Sequence, residues 1–375
     1  MKSRSHSSNG LCPICASRNK EKPSKGECSI CHNQIFERIG GLLKLAKNHC
    51  SNTEFSSFSV SSKIPREFEL AEESLWDRIG LSNALSLKTQ LNSEIASELK
   101  NTLKKKFSPD SPGITFIFDF EENDVKISVS PLFLYGHYKK FSRELSQTKW
   151  PCDCKSGCEL CKGTLLKYLS VEDLISKPLL KAFRAKSAKF HGAGREDVDA
   201  RMLGDGRPFA IELEEPLKRN TDLASLQNSI NSEFPEKIEL SRLSFAPPTI
   251  VEFVKMARLE KSYRALVQTT GPIQKQKLAK IPHSAKILQQ TPNRVLHRRA
   301  NLERPRLVKR IMVAQLSQNS LEFILDTESG TYVKEFISGD GGRTKPSISE
   351  FLGVPATCAE LDVIGIKHFF LSDYW

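Results

Sequence analysis

HGAGREDVDARMLGDGRPF, residues 191–209, places three acidic residues (Glu196, Asp197 and Asp199) between Arg195 and Arg201, with glycines at 192, 194, 204 and 206. Glycines this dense predict a loop whose backbone takes positive φ or approaches something closely. The run that follows, RPFAIELE, alternates apolar and polar residues like a half-buried strand. A carboxylate on a loop at a strand edge, with guanidinium neighbours to complement its charge, is a candidate nucleophile. The same residues also fit a solvated acidic loop paired with its own arginines.

Working outward, 375 residues exceed one ordinary core and predict two domains plus an appendage. Fifty-six lysines and arginines against 44 acidic residues leave a net charge of +12, which points to a polyanionic partner. The charge is clustered: TPNRVLHRRANLERPRLVKR (291–310) holds six arginines and one lysine against one glutamate, marking Arg294, Arg298 and Arg299 as candidate phosphate ligands. Lys100 with Lys104, Lys105 and Lys106 closes a predicted helix and complements its dipole. No apolar run approaches 18 residues, so no membrane span is expected. The N-terminus, MKSRSHSSNG, lacks a signal-peptide core and reads as a disordered tail, leaving the cytoplasm as the default location.

Ten cysteines read as metal chemistry rather than disulfides. Cys12, Cys15, Cys28 and Cys31 form two CxxC knuckles twelve residues apart, whose thiolates can converge on structural zinc. A redox role is the runner-up reading, disfavoured because no thioredoxin-like βαβ pattern surrounds either pair. WPCDCKSGCELCKGT supplies a second set: Cys152, Cys154, Cys158 and Cys161. Cys50 and Cys358 stand alone and read as buried thiols.

The rest of the chain is coarser. A zinc ribbon and a short helix (34–48) lead through a Ser- and Phe-rich connector (51–66) to a helical stretch over 67–107. Its stripe of Leu91, Ile95, Leu99 and Leu103 marks core packing. A turn at 108–113 precedes a hairpin, 114–120 with 125–131. In FLYGHYKKF (133–141), Tyr135, Tyr138 and Phe141 interleave with Lys139 and Lys140. That mixture suits either RNA binding or a packed element with a basic face. Beyond 163, a helix at 171–186 is followed by strand-like runs at 207–215, 237–243, 262–270, 309–316, 320–326, 331–337 and 360–370. They predict a mixed α/β sheet, with 270–291 as a basic excursion between strands.

GREDVDARMLGDGRPF resembles the catalytic-loop motif of the archaeal and eukaryotic tRNA pseudouridine synthases that carry an N-terminal THUMP domain. VKISVSPLFLYGHYKKFSREL (125–145), KSYRALV (261–267), QQTPNRVLHRRANLERPRLV (289–308) and GTYVKEFISGDGGRTKPS (330–347) match the same family in the same order. The resemblance implies an α+β protein in four parts. These are a tail and zinc ribbon (1–50), a THUMP-like RNA-binding domain (51–150), a cysteine-knuckle linker (151–162), and a catalytic domain with a mixed sheet and central cleft (163–375). It implies that Asp197 is the nucleophile, Tyr263 stacks on the target base, and Lys334 pairs with Asp197. Tyr332 and Arg195 contact substrate, and Leu361 lines the pocket. On an alternating strand, residues 332 and 334 would share a face. The second cysteine set resembles the knuckle of archaeal members but has Cys-Asp-Cys where they carry CxxC, so its metal binding stays open.

The implied substrate is the tRNA T arm, at uridines 54 and 55, with no catalytic cofactor and no obligate protein partner. Competing readings are another THUMP-type RNA-modifying enzyme, a glycosidase, and a catalytically silent tRNA-binding chaperone. No glycine-rich nucleotide fingerprint follows a strand, which counts against a methyltransferase. GDGGR (339–343) lacks the P-loop ending, which counts against ATP chemistry. The basic charge and cysteine pairs fit RNA better than a sugar polymer.

Overall fold

The computed structural model describes residues 10–80, 84–159, 161–298 and 300–367. The expected N-terminal tail, Arg299 and the end of the strand expected at 360–370 lie outside the described residues. The chain divides into two compact units. One runs to Leu132 and takes in Phe183–Ser187 and Glu214–Asn220; the other holds Phe133–Ala182, Ala188–Leu213 and the residues from Thr221 onward. No helix among the described residues is long and apolar enough to cross a membrane.

The first unit comprises α1 (Pro13–Asn19), α2 (Ile35–His49), β1 (Ser57–Lys63), α3 (Arg66–Ile79), α4 (Leu87–Leu103), β2 (Lys106–Phe107), β3 (Ile114–Asp119) and β4 (Asp124–Val129). Its sheet runs β2-β1-β3-β4, with β1 parallel to β3, and the expected hairpin pairs Ile114 with Val129. The Ser86 side chain accepts from the Thr89 N–H at 3.1 Å and starts α4. Leu87, Leu91, Ile95 and Leu99 then bury one face among Phe58, Phe116 and Phe118. The helical stretch expected over 67–107 is two helices, because Gly80 ends α3 at a φ of 82°.

The expected connector at 51–66 instead contains β1, a central strand. Its serines hide the pattern. Ser59 is nevertheless buried, with its hydroxyl 2.8 Å from that of Thr115 on β3. Residues 10–50 contain no strand, so the first cysteine set is carried by a short helix and turns rather than by a ribbon.

The second unit holds β5 (Leu132–Lys140), α5 (Val171–Phe183), β6 (Ser187–Gly192), β7 (Ala200–Glu214), α6 (Leu223–Glu233), β8 (Ile238–Ala246), α7 (Ile250–Met256), β9 (Glu260–Thr269), α8 (Lys275–Leu278), β10 (Ala285–Gln290), β11 (Glu303–Gln315), β12 (Ser320–Thr327), α9 (Val333–Ser338), β13 (Thr344–Lys345), α10 (Ile348–Leu352) and β14 (Ala356–Lys367). Its strands run β13-β10-β11-β12-β9-β14-β7-β5-β8, with β6 also on β7. β14 pairs parallel to β7 and antiparallel to β9, which makes the sheet mixed.

Four expectations change here. Residues 133–140 lie in β5 of this sheet, paired with β8, whereas the sequence placed them in the RNA-binding domain. The supposed strand at 331–337 is helix α9, and the excursion at 270–291 contains the sheet strand β10. Gly204 and Gly206 sit inside β7 rather than in a loop, because that strand runs hard against its neighbours. A Cβ on Gly206 would lie 2.9 Å from the Tyr138 carbonyl oxygen, and one on Gly204 would strike that of Ile364.

Candidate active site

Asp197 sits in the loop between β6 and β7, on the wall of a cleft of about 510 Å³. The loop is held from behind. Glu196 is buried and accepts the Tyr138 hydroxyl at 2.8 and 3.0 Å, with Arg207 Nε 2.8 Å away. Arg207, fully buried, donates to the Ala193 carbonyl at 2.7 Å. Gln147 donates to the Gly194 carbonyl at 2.9 Å and the Tyr138 hydroxyl at 2.8 Å. Lys140 lies beneath, donating from Nζ to the carbonyls of Leu145 (2.8 Å), Asp197 (3.0 Å) and Val198 (2.8 Å). Burial brings its ammonium down to about 8.

Two cations face the Asp197 carboxylate. Arg294 Nη1 is 2.8 Å from Oδ1, and Lys334 Nζ is 3.4 Å from Oδ2. Lys334 lies closer to Asp199, at 2.7 Å from both oxygens. Burial alone would raise the Asp199 carboxyl, but the Lys334 ammonium outweighs it and holds the group below the ordinary range. Arg294 also reaches Glu335 Oε1 at 2.7 Å; burial opposes its charge, and the two carboxylates together hold its proton more tightly than usual. Asp197 therefore has an arginine as its nearest cation, where Lys334 was expected, and Arg294 faces two carboxylates rather than free solvent.

Tyr263, half-buried on β9, and Leu361, buried on β14, line the same cleft. Burial pushes the Tyr263 hydroxyl up to about 12 against the pull of Arg207. Tyr332 and Lys334 also line it, from the cap and first turn of α9 rather than from a strand. The buried Gln289 side chain grips Tyr332 through both main-chain groups, at 2.9 and 3.0 Å. Arg195 is exposed on the cleft wall. The cleft thus brings Arg195, Asp197, Tyr263, Tyr332, Lys334 and Leu361 together from four separate stretches of chain. It offers a carboxylate between cations, an aromatic side chain, and an apolar patch, which suits electrophilic carbon attached to a flat heterocycle.

Other expected RNA ligands are placed differently. Lys140 is buried beneath the loop rather than on a solvated face. Lys139 pairs with Glu239 at 3.0 Å. Tyr135 and Tyr138 are core residues, so neither ring is open to a base. Leu134, Gly136, Tyr138 and Lys140 share one buried face of β5, and Tyr135 and His137 are buried on the other. Arg298 ends a short helical turn, Asn293–Arg298.

Both cysteine sets converge. Within each, the sulfurs all lie within 4.8 Å of one another. Cys31 Sγ is 3.6 Å from Cys12 and 3.5 Å from Cys15, while Cys152–Cys158 and Cys154–Cys161 are 3.6 and 3.4 Å apart. A tetrahedral ion with metal–sulfur bonds of about 2.3 Å needs sulfurs about 3.8 Å apart, so both sets can hold one. Cys50 is buried and Cys358 half-buried.

Residues 133–367 match the family model Pus10, C-terminal, and residues 43–119 match the Pus10 THUMP domain, archaeal. Over 346 residues the chain is 39% identical to the tRNA pseudouridine synthase Pus10 of Thermofilum pendens, covering 91% of this chain and 76% of that one. It is 38% identical over 369 residues to that of Archaeoglobus fulgidus, covering 95% and 99%. The chain belongs to the Pus10 family.

Proposed function

We propose that this chain is a tRNA pseudouridine synthase that isomerises uridines 54 and 55 of the T loop, with Asp197 as its nucleophile. Family membership supports the reaction class. The observation that carries the site is Asp197, on the cleft wall between Arg294 and Lys334, with Tyr263 and Leu361 lining the same cavity.

The C1′–N1 bond must break, the uracil must turn, and C5 must bond to C1′. The C5 proton is then lost while N1 gains one, so the product is an isomer of the substrate. The Asp197 carboxylate serves either by adding to C1′ or by taking a sugar proton to leave a glycal. In both routes Tyr263 supports the extruded base without bonding to its edges, which leaves the base free to turn. Arg294 and Lys334 orient the carboxylate. Both cysteine sets could hold a structural zinc ion, which would supply no step of the chemistry. The protein works on tRNA in the cytoplasm.

Replacing Asp197 with Asn abolishes isomerisation while leaving tRNA affinity nearly intact, because one carboxylate is a small part of a phosphate-dominated interface. Mapping pseudouridine in T-arm RNA after single-turnover incubation checks the first statement and a binding titration for Kd the second, and substantial remaining turnover refutes the assignment. Asp199→Asn retains far more activity in the same assay. A chaperone without chemistry would bind the RNA and leave its uridines unchanged.

A further inference from the structure

The chain on either side of the second cysteine set forms a short arm in the second unit, closed by main-chain hydrogen bonds and two isolated bridges. The Ser146 N–H donates to the Leu169 carbonyl at 3.0 Å, Lys167 to Trp150 at 2.8 Å and Cys152 to Leu165 at 2.8 Å. Gln147, at the arm's base, is hydrogen-bonded to the loop that carries Asp197, and the four cysteines close its tip. Between base and tip stand Trp150 and Tyr168. Their rings lie 5.6 Å apart with planes at 57°, and both line the cleft that holds Arg195 and Asp197. Tyr168 is 36% exposed, and the Lys167 ammonium rests over the Trp150 ring, 5.9 Å from its centre.

None of the chemistry proposed for the cleft uses these rings. Neither belongs to the buried core, yet the arm's main-chain hydrogen bonds and Gln147 fix their place beside the catalytic loop. Two partly exposed aromatic rings on the rim of a cleft with an exposed arginine match what an unpaired nucleobase stacks on. Such a base is present whenever the target is drawn from its stack, because its neighbour then loses a stacking partner.

We propose that Trp150 and Tyr168 form a second binding site, a stacking platform for a nucleobase flanking the target uridine. The inference rests on the RNA-modifying reading of the cleft. The platform adds affinity and sequence tolerance, since every base has a π face, and it couples the knuckle to substrate binding without placing it in the chemistry.

A set of T-arm hairpins, complete or abasic at one position beside the target, tests this in an Asp197→Asn background, with Kd as the readout. Trp150→Ala weakens binding of the complete hairpin about fivefold to hundredfold. One abasic hairpin binds as weakly to the intact platform as the complete hairpin does to Trp150→Ala, and the substitution costs it nothing further. Trp150→Phe keeps most of the affinity and Trp150→Leu does not, which separates a π face from mere packing should the alanine variant lose metal or melt early. Tyr168→Ala follows the same base dependence. Equal losses on every abasic hairpin, equal affinities for the Phe and Leu variants, or complete-hairpin affinities within twofold of the unsubstituted platform would overturn the proposal. Pseudouridine formation by the unsubstituted chain is read separately: its absence beside an intact base-dependent pattern would refute the enzyme and leave the platform.

Discussion

Lys140 shows how much one side chain can govern the cleft without touching its contents. Its ammonium holds three main-chain carbonyls, two of them belonging to Asp197 and Val198. Lys140→Met leaves those acceptors without a donor and lets the loop drift, and a misplacement of about 1 Å costs on the order of a hundredfold in rate. The expected result is a loss of that size in single-turnover rate with tRNA affinity little changed, and Lys140→Arg restores less than full activity because its fork cannot reproduce three diverging bonds. The native proton leaves near pH 8, and a neutral amine has two N–H groups for three carbonyls, so activity falls above that pH. Between about 8 and the ordinary 10.5 the unfolded chain binds this proton and the folded chain does not. Stability therefore gains from Lys140 as pH rises through that window, and a melting curve distinguishes the activity loss from unfolding. Lys261, brought to about 8 by burial and by Arg207, titrates in the same range, so the Lys261→Met profile is the control.

At the level of elements, the parallel contact of β14 with β7 is short, and a single carboxylate reinforces it. Asp362, 1% exposed, accepts from Arg143 at 2.7 Å, from Arg201 at 3.0 Å and from Arg264 at 2.9 Å. It thereby ties β14 to β7, to β9 and to the chain after β5. Asp362→Ala leaves three guanidinium groups facing one another. The cost is about 3 kcal/mol, the low end for a broken buried ion pair because the arginines are partly exposed. Burial would raise the Asp362 carboxyl, but hydrogen bonds from Arg201 and Arg264 and the charges of Arg143 and Arg201 outweigh it and hold it below 3.8. Its contribution is thus present above that value and lost as pH falls through the folded pKa. Urea melts at descending pH should show a steeper decline below about pH 4 for the native chain than for Asp362→Asn. Asp199 and Asp326 shift the same way in both chains, so the difference isolates Asp362.

For the whole molecule, metal and net charge are the terms that reach beyond one site. Cys12→Ser should release about one equivalent of zinc, measured by elemental analysis, and lower the melting temperature of the first unit, since structural zinc contributes folding free energy. Unchanged metal content refutes the site. The loss should weaken tRNA binding more than it slows chemistry at saturating substrate. The net charge of +12 makes salt the second lever. Replacing Arg298 and Arg299 together with alanine should weaken tRNA and unrelated RNA alike and reduce the log–log salt slope by up to about two units. An unchanged slope with a lowered melting temperature would assign these arginines to internal ion pairs, the role that Arg310 already plays with Asp326 at 2.7 Å.

What the sequence determined by itself was local or motif-borne. The aspartate loop, both cysteine sets, the 114–129 hairpin and the apolar stripe of α4 are legible because their signals lie within a few residues of one another. The serine-rich β1 was not, since its order comes from pairing with β3 rather than from its own alternation. Tyr332 and Lys334 were assigned to the cleft but on a strand, because fewer than two turns of helix are too short to impose their period. Only the tertiary structure set Arg294, from 97 residues away, as the nearest cation to Asp197. Only it turned Lys140 inward, and only it joined Trp150 and Tyr168 to the cleft. Those choices depend on long-range packing: an ion's partner is whichever charge the fold leaves within about 3 Å, and spacing along a chain carries no record of that distance.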